Sequence, residues 1–526
     1  VGLATRHVVR SWSIEDEQWL TNARDDLVTE QISSRRDDVT EFTQAVGPFR
    51  SYRRTVRSDV TTGQASLVEE TEYSLVVPWF GWIFRPLVNR TIRRRRPGSD
   101  TNPWWAPPDR LDERQVLILG LLAAASLLSA FVNTLFTQTV AFAGDDLGVG
   151  DWGRGVGGTV VRLGILIGLP AALAADRVGR RRVVIVLAWV APLLAAFGAL
   201  APNFPVLVAT QTLSRPLGLA LDLLVAVIAA EEMPRNTRAY AVSILAMASG
   251  IGAGVAVIAL PLADIGPDGW RFIYALSLIW LLVAVDLTRR LPETRRFETY
   301  VERRIENRVD TRPEPDTPMQ GNRLAIQMAV AFFGNLLIAP ASFFQNAFLK
   351  DERGFSAGMV TVFAFASATP AVIGLVVGGR IADRQGRRRL ATVCVPIGGT
   401  LLATTFWLSG PLMWTTAIVG AIVAATAYPP LAVYRTELFP TGRRGRAAFL
   451  ILASALVGGS ISLLATGALL DRGVAHGPIM SVLLIGTLVV TLIVWRTYPE
   501  TAHRELEDIN PDDRDSISHP GFDGPH

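Results

Sequence analysis

The chain has 526 residues, 50% of them hydrophobic and only 19% charged, which is too apolar for a soluble enzyme of several domains. A formal net charge of +4 would suit a nucleic-acid partner, but the arginines gather on one side of a series of apolar runs, and membrane orientation explains that better. One cysteine, Cys394, excludes a disulfide framework, a Cys-rich metal site and paired-thiol redox chemistry.

Residues 1–114 form the first unit, expected to be a cytoplasmic N-terminal extension. Over residues 1–70 acidic and basic groups alternate without a secretory pattern, and the composition predicts a segment that is at best locally folded. Leu75 to Leu87 then places four aromatics, two prolines and an arginine in too few residues to span a bilayer, with arginines 93 to 96 close behind. Two readings stand for residues 75–96. In one, an interfacial segment meets anionic lipid headgroups; in the other, it is a contact surface against the protein's own cytoplasmic face. Pro97 to Pro108 reads as an extended linker.

Twelve apolar runs follow, near 116–140, 155–175, 182–201, 205–230, 239–261, 270–287, 324–346, 357–379, 389–409, 411–433, 447–470 and 477–495. About 20 residues of helix cross a hydrocarbon core, and helix satisfies the backbone there, so an all-α polytopic membrane protein of 12 transmembrane helices is expected. The loops after spans 2, 4, 8 and 10 carry fifteen arginines; the opposite loops carry only Arg154, Arg271, Lys350, Arg353 and Arg472. That asymmetry places both termini in the cytoplasm of a multi-pass protein of a plasma or bacterial inner membrane. Expected units are a six-helix bundle over 115–287, a charged cytoplasmic linker over 288–323, a second bundle over 324–496 and a tail over 497–526.

The arginine-rich loops repeat. Asp176, Arg177, Gly179, Arg180 and Arg181 after span 2 recur as Asp383, Arg384, Gly386, Arg387 and Arg388 after span 8, where Gly379 completes a GxxxDRxGRR pattern that Ala172 breaks in the first copy. ExxPxxxR occurs as Glu231, Pro234 and Arg238 and again as Glu437, Pro440 and Arg444. PET occurs at Pro292, Glu293 and Thr294 and at Pro499, Glu500 and Thr501, each 116 residues after its aspartate. Such an offset argues for two duplicated halves.

These motifs resemble the major facilitator superfamily, and its sugar-porter and metabolite:proton symporter branch in particular, over residues 115 to 510. The resemblance implies two pseudo-symmetric six-helix bundles that alternate access to a central cavity. It implies that these loop residues form networks holding the halves together at the cytoplasmic side when the transporter is open outward.

Charges inside the spans are costly and mark pathways or pairs. Arg162 on span 2, Arg215 and Asp222 on span 4 are therefore substrate or proton-pathway candidates, with Arg215 expected to tune Asp222 by opposing charge. Asn133, Thr137 and Gln138 on span 1, Gln327, Asn335, Gln345 and Asn346 on span 7 and Tyr428 on span 10 supply hydrogen-bonding groups for a polar solute. Asp145 and Asp146 suit an outer gate or a solvated loop. The histidines are scattered and predict neither a metal cluster nor a proton relay.

The expected function is secondary transport of a small polar metabolite, an organic acid or sugar-like solute, with protons as the coupling ion. No cofactor, metal or nucleic acid is expected, and a monomer is. A drug efflux exchanger and a transporter-like receptor using the extension are the alternatives. Lacking a phosphate-binding loop or a nucleophile-base arrangement, the chain does not read as an enzyme.

Overall fold

The computed structural model describes residues 5–36, 39–59, 66–95, 103, 105–165, 178–234, 237–293, 321–437 and 444–500. Asp176 and Arg177 lie outside the described residues, as do the side chains of Asp383, Arg384, Glu437 and Arg444 and the environment of Gly379.

Residues expected to be at best locally folded instead build a sheet. Strands β1 (Arg6–Ser13), β2 (Thr29–Arg36), β3 (Val39–Val46), β4 (Phe49–Asp59) and β5 (Ser66–Leu75) pair antiparallel in the order β1-β5-β4-β3-β2, so the all-helical part of the fold begins beyond them. Alternation is present, with Tyr52, Arg54 and Val56 of β4 and Leu67, Glu69, Thr71 and Tyr73 of β5 turned inward. It escapes a hydropathy reading because several inward positions are charged.

Those charges satisfy one another. Arg54 reaches Glu30 at 2.6 and 2.9 Å, donates to the Leu20 and Asn22 carbonyls at 2.9 Å, and stacks on Phe42 at 3.9 Å. Tyr52 donates to Glu30 at 2.6 Å, and burial pushes its phenol up. Arg24 pairs with Asp26 at 2.7 Å; burial works to raise the Asp26 carboxyl, but the guanidinium beside it prevails and holds it below the usual carboxylate range.

Helix α1 (Gly81–Arg93) lays Phe84, Val88 and Ile92 on the sheet core beside Phe49, Tyr73, Leu75 and Trp105. Of the two readings for this segment, its apolar side is thus taken up by protein. The turn before it touches the membrane helices. Trp79, with a left-handed φ of 61°, donates to Asp286 at 2.9 Å, and a Cβ on Gly120 would stand 2.4 Å from Pro78, so only glycine admits the contact.

The helical region comprises α2 (Glu113–Asp146), α3 (Asp151–Leu163), α4 (Arg180–Phe197), α5 (Phe204–Glu232), α6 (Arg238–Ile258), and α7 (Gly269–Ala275) continued through a tight turn into α8 (Leu281–Arg290). A second set follows as α9 (Gly321–Ala347), α10 (Ala357–Gln385), α11 (Arg387–Thr405), α12 (Gly410–Glu437), α13 (Arg444–Asp471) and α14 (His476–Thr497). Ten helices among the described residues are long and apolar enough to cross a membrane. The other two expected runs coincide with α3, described only in its first part, and with α11. Val186, Leu223, Ile258, Val482 and Leu492 point outward, as lipid-facing side chains do.

Small residues set the helix crossings. A Cβ on Gly252 would fall 2.1 Å from the Leu127 carbonyl, and one on Gly374 2.1 Å from that of Ile422, which joins α6 to α2 and α10 to α12. The duplicated loops share a conformation: Gly179 and Gly386 both have φ of 105°, a value that favours glycine.

Candidate functional site

Two arginines occupy one level of the bundle. Counting from the helix starts at Asp151 and Phe204, Arg162 and Arg215 each lie eleven residues in, about 16 Å along the axis and too deep to snorkel outward. Among the described residues no carboxylate pairs with either guanidinium. Arg162 donates to Asn335 at 2.8 Å, while its Nε and that of Arg215 are buried without a protein partner among those residues. Gly459 makes room for Arg162, since a Cβ there would lie 2.9 Å from the guanidinium carbon.

Asn133 stands at the same depth. It donates to Ser129 at 3.2 Å, and Ser129 donates to the Gly218 carbonyl at 2.7 Å, leaving the Asn133 amide oxygen buried with no partner among the described residues. The expected Arg215–Asp222 pair is not formed. Seven residues of helix put about 10 Å between the two backbones, and Asp222 takes a hydrogen bond from Ser249 instead.

The other candidates divide. Gln138 and Asn346 bond to each other at 2.9 Å across the two helix sets, nearer the arginine-poor end. Gln327 is buried in the first turns of α9, Thr137 and Gln345 are half-buried, and Tyr428 is 61% exposed.

At the arginine-poor end the two sets are tied together. Asp145 pairs with both Arg154 and Lys350, and Arg154 reaches Asp151 at 3.2 Å and Asp351 at 3.5 Å. Asp264 accepts the backbone N–H groups of Ala357 and Gly358 at 2.9 and 3.0 Å, capping α10 from the other set. Trp270 donates to Asp146 at 2.9 Å. The sequence reading treated Arg154 and Lys350 only as markers of orientation; a lysine found nowhere else in the chain, set beside acidic neighbours, was the available signal. His476, expected to stand apart, is buried and bonded to Glu352 through its backbone N–H at 3.1 Å and through its ring. His7 likewise joins Glu70 and Glu72 at an exposed sheet edge, with ligand atoms all within 4.8 Å.

At the arginine-rich end the described loops bond within their own helix set. Arg180 pairs with Glu231. Glu293 accepts the Arg181 backbone N–H at 3.1 Å, and Glu500 accepts those of Arg387 and Arg388 at 2.8 and 3.2 Å. The two PET glutamates thus cap α4 and α11 at equivalent positions, where carboxylates also meet the positive end of the helix dipole. A Cβ on Gly386 would sit 2.6 Å from Glu500, so that loop cannot accept a side chain unchanged. Arg238 is exposed and donates to the Met233 carbonyl at 3.4 Å. At the arginine-poor end, by contrast, ion pairs and hydrogen bonds run between the two sets.

A family model described as Major Facilitator Superfamily matches residues 122–463 and 324–511. The chain is 27% identical over 306 residues to a probable 4-methylmuconolactone transporter of Cupriavidus pinatubonensis, covering 55% of this chain and 68% of that one. It is 24% identical over 439 residues to the glucose transporter GlcP of Staphylococcus epidermidis, covering 75% and 96%. Among solved structures, the inward open conformation of the xylose transporter XylE from E. coli aligns with a TM-score of 0.60 at 17% identity, covering 76% of this chain and 99% of that one.

Proposed function

The chain belongs to the Major Facilitator Superfamily and is a multi-pass membrane transporter, and from that premise we propose that its cargo is a small metabolite carrying a carboxylate. The observation behind this reading is that Arg162 and Arg215 lie at one depth of the bundle, each with a buried Nε that has no partner and neither with a carboxylate partner among the described residues. Two uncompensated guanidiniums in a low-dielectric cavity are costly until an anion arrives, and bidentate hydrogen bonds match a carboxylate. Asn133 and Asn335, at the same level, orient the rest of the solute. One relative is named for a lactone and another for glucose, so the carboxylate reading rests on the arginines.

Transport proceeds by alternating access, with the cluster of Asp145, Arg154, Lys350 and Asp351 as the gate at the arginine-poor end. The duplicated loops serve the arginine-rich end, which faces the cytoplasm. Asp222, half-buried with a single hydroxyl partner, is the proton carrier of a symport mechanism. The protein works as a monomer.

Uptake into proteoliposomes, comparing an organic acid, a sugar and an amphiphilic cation with and without a pH gradient, tests the reading. Gradient-driven uptake of the acid alone is expected. Sugar uptake that survives Arg215→Gln unchanged would overturn the carboxylate assignment, and coupling left intact by Asp222→Asn would remove that residue from the proton path.

A further inference from the structure

Helix α1 has a second side, turned away from the sheet core. There Trp82, Arg85, Pro86 and Asn89 line a cleft of about 340 Å³ together with Arg6 and Tyr73. Arg6 stands opposite Tyr73 in the β1–β5 register. Burial raises the Tyr73 phenol, and the positive charge of Arg6, Arg93 and Arg85 acts against it; of these, Arg6 and Arg85 line the cleft with Tyr73. The Asn89 side-chain oxygen is buried with no partner among the described residues. Glu72, the nearest carboxylate on β5, alternates to the opposite face and is held by His7 at 2.9 Å. The cleft therefore sets two guanidiniums beside the Tyr73 hydroxyl, donors that suit a phosphate oxyanion.

The position of the cleft selects the source of that phosphate. The turn just before α1 packs on α2 at Gly120 and on α8 at Asp286, four residues from the arginine-rich end of α8. Trp82 begins the next turn and is 72% exposed; Trp79 is 41% exposed. An indole this open, beside the ends of membrane helices, sits where tryptophans settle in the headgroup layer. We propose that the cleft formed by Arg6, Tyr73, Arg85 and Asn89 binds the phosphate of an anionic phospholipid in the leaflet at the arginine-rich end, tethering the sheet to the membrane. The inference is independent of the cargo.

Native mass spectrometry of the full chain in detergent, offered phosphatidylglycerol, phosphatidylcholine or glycerol phosphate, tests it. Phosphatidylglycerol is expected to be retained, and Arg6→Gln and Arg85→Gln each to weaken retention about fivefold, as expected for one basic residue at an anionic surface. Arg57→Gln, on the exposed part of β4, is the control and leaves retention unchanged. Arg6 is itself exposed, so its variant folds, and an unchanged near-ultraviolet dichroism spectrum verifies that for both. Equal retention by all variants, or equal retention of phosphatidylcholine, would overturn the proposal. Glycerol phosphate held as tightly as the lipid would assign the cleft to a soluble phosphate and overturn the tether.

Discussion

Arginine is wholly buried in the sheet and half-buried midway along the helical bundle, and its partners differ between the two places. In the sheet, Arg54 spends its donors on Glu30 and two backbone carbonyls and rests on a phenyl ring. In the helical bundle, Arg162 and Arg215 have a single side-chain acceptor between them among the described residues, Asn335. A saturated guanidinium holds a fold together, whereas one with spare donors in a cavity is kept for a ligand, and the fold bears the cost.

The strongest way to break this contrast is to remove one arginine from each region. Arg54→Met leaves Glu30 buried and unpaired and is expected to destabilise the sheet by about 3–5 kcal/mol, read as early proteolysis or early melting of residues 1–95. Arg215→Met should leave thermal stability unchanged or higher while lowering uptake about a hundredfold, since a hydrogen-bonded charge contributes about 1.5–3 kcal/mol. Loss of stability in the second variant would erase the distinction.

A smaller change sharpens it. Gly459→Ala keeps the charge but crowds the guanidinium carbon of Arg162. Uptake should fall about tenfold through a raised KM, equivalent to about 1.4 kcal/mol. Smallest is the response of the sheet to acid. Asp26 has a folded-state pKa below its unfolded value, so its contribution is fully present above about pH 4 and fades as pH falls through the folded value. Asp26→Asn should flatten the stability profile in that window, measured by melting the protein across it.

The membrane region was legible in the sequence because a bilayer imposes long apolar runs. Repeated motifs gave the family as well, and the matched φ of Gly179 and Gly386 shows the duplication at atomic detail. Residues 6–75 were not legible, because Glu30, Arg54 and Glu69 occupy inward positions and hide the alternation that marks a strand. The candidate site was half legible. Arg162, Arg215, Asn133 and Asn335 were singled out by their cost or polarity in a span and do share a level, but which groups pair depends on neighbours far away in the chain. Gln138 and Asn346, chosen as solute ligands, bond to each other.

By itself the sequence determined which segments enter the membrane and that they form two related halves, since these follow from local hydropathy and repetition. Only the tertiary structure decided that Asp222 answers to Ser249 and not to Arg215, that Lys350 and Arg154 share Asp145, and that the apolar side of α1 rests on a sheet. Hydropathy is a property of each stretch of chain, whereas the partner of a buried polar group is set by which helices cross at its depth.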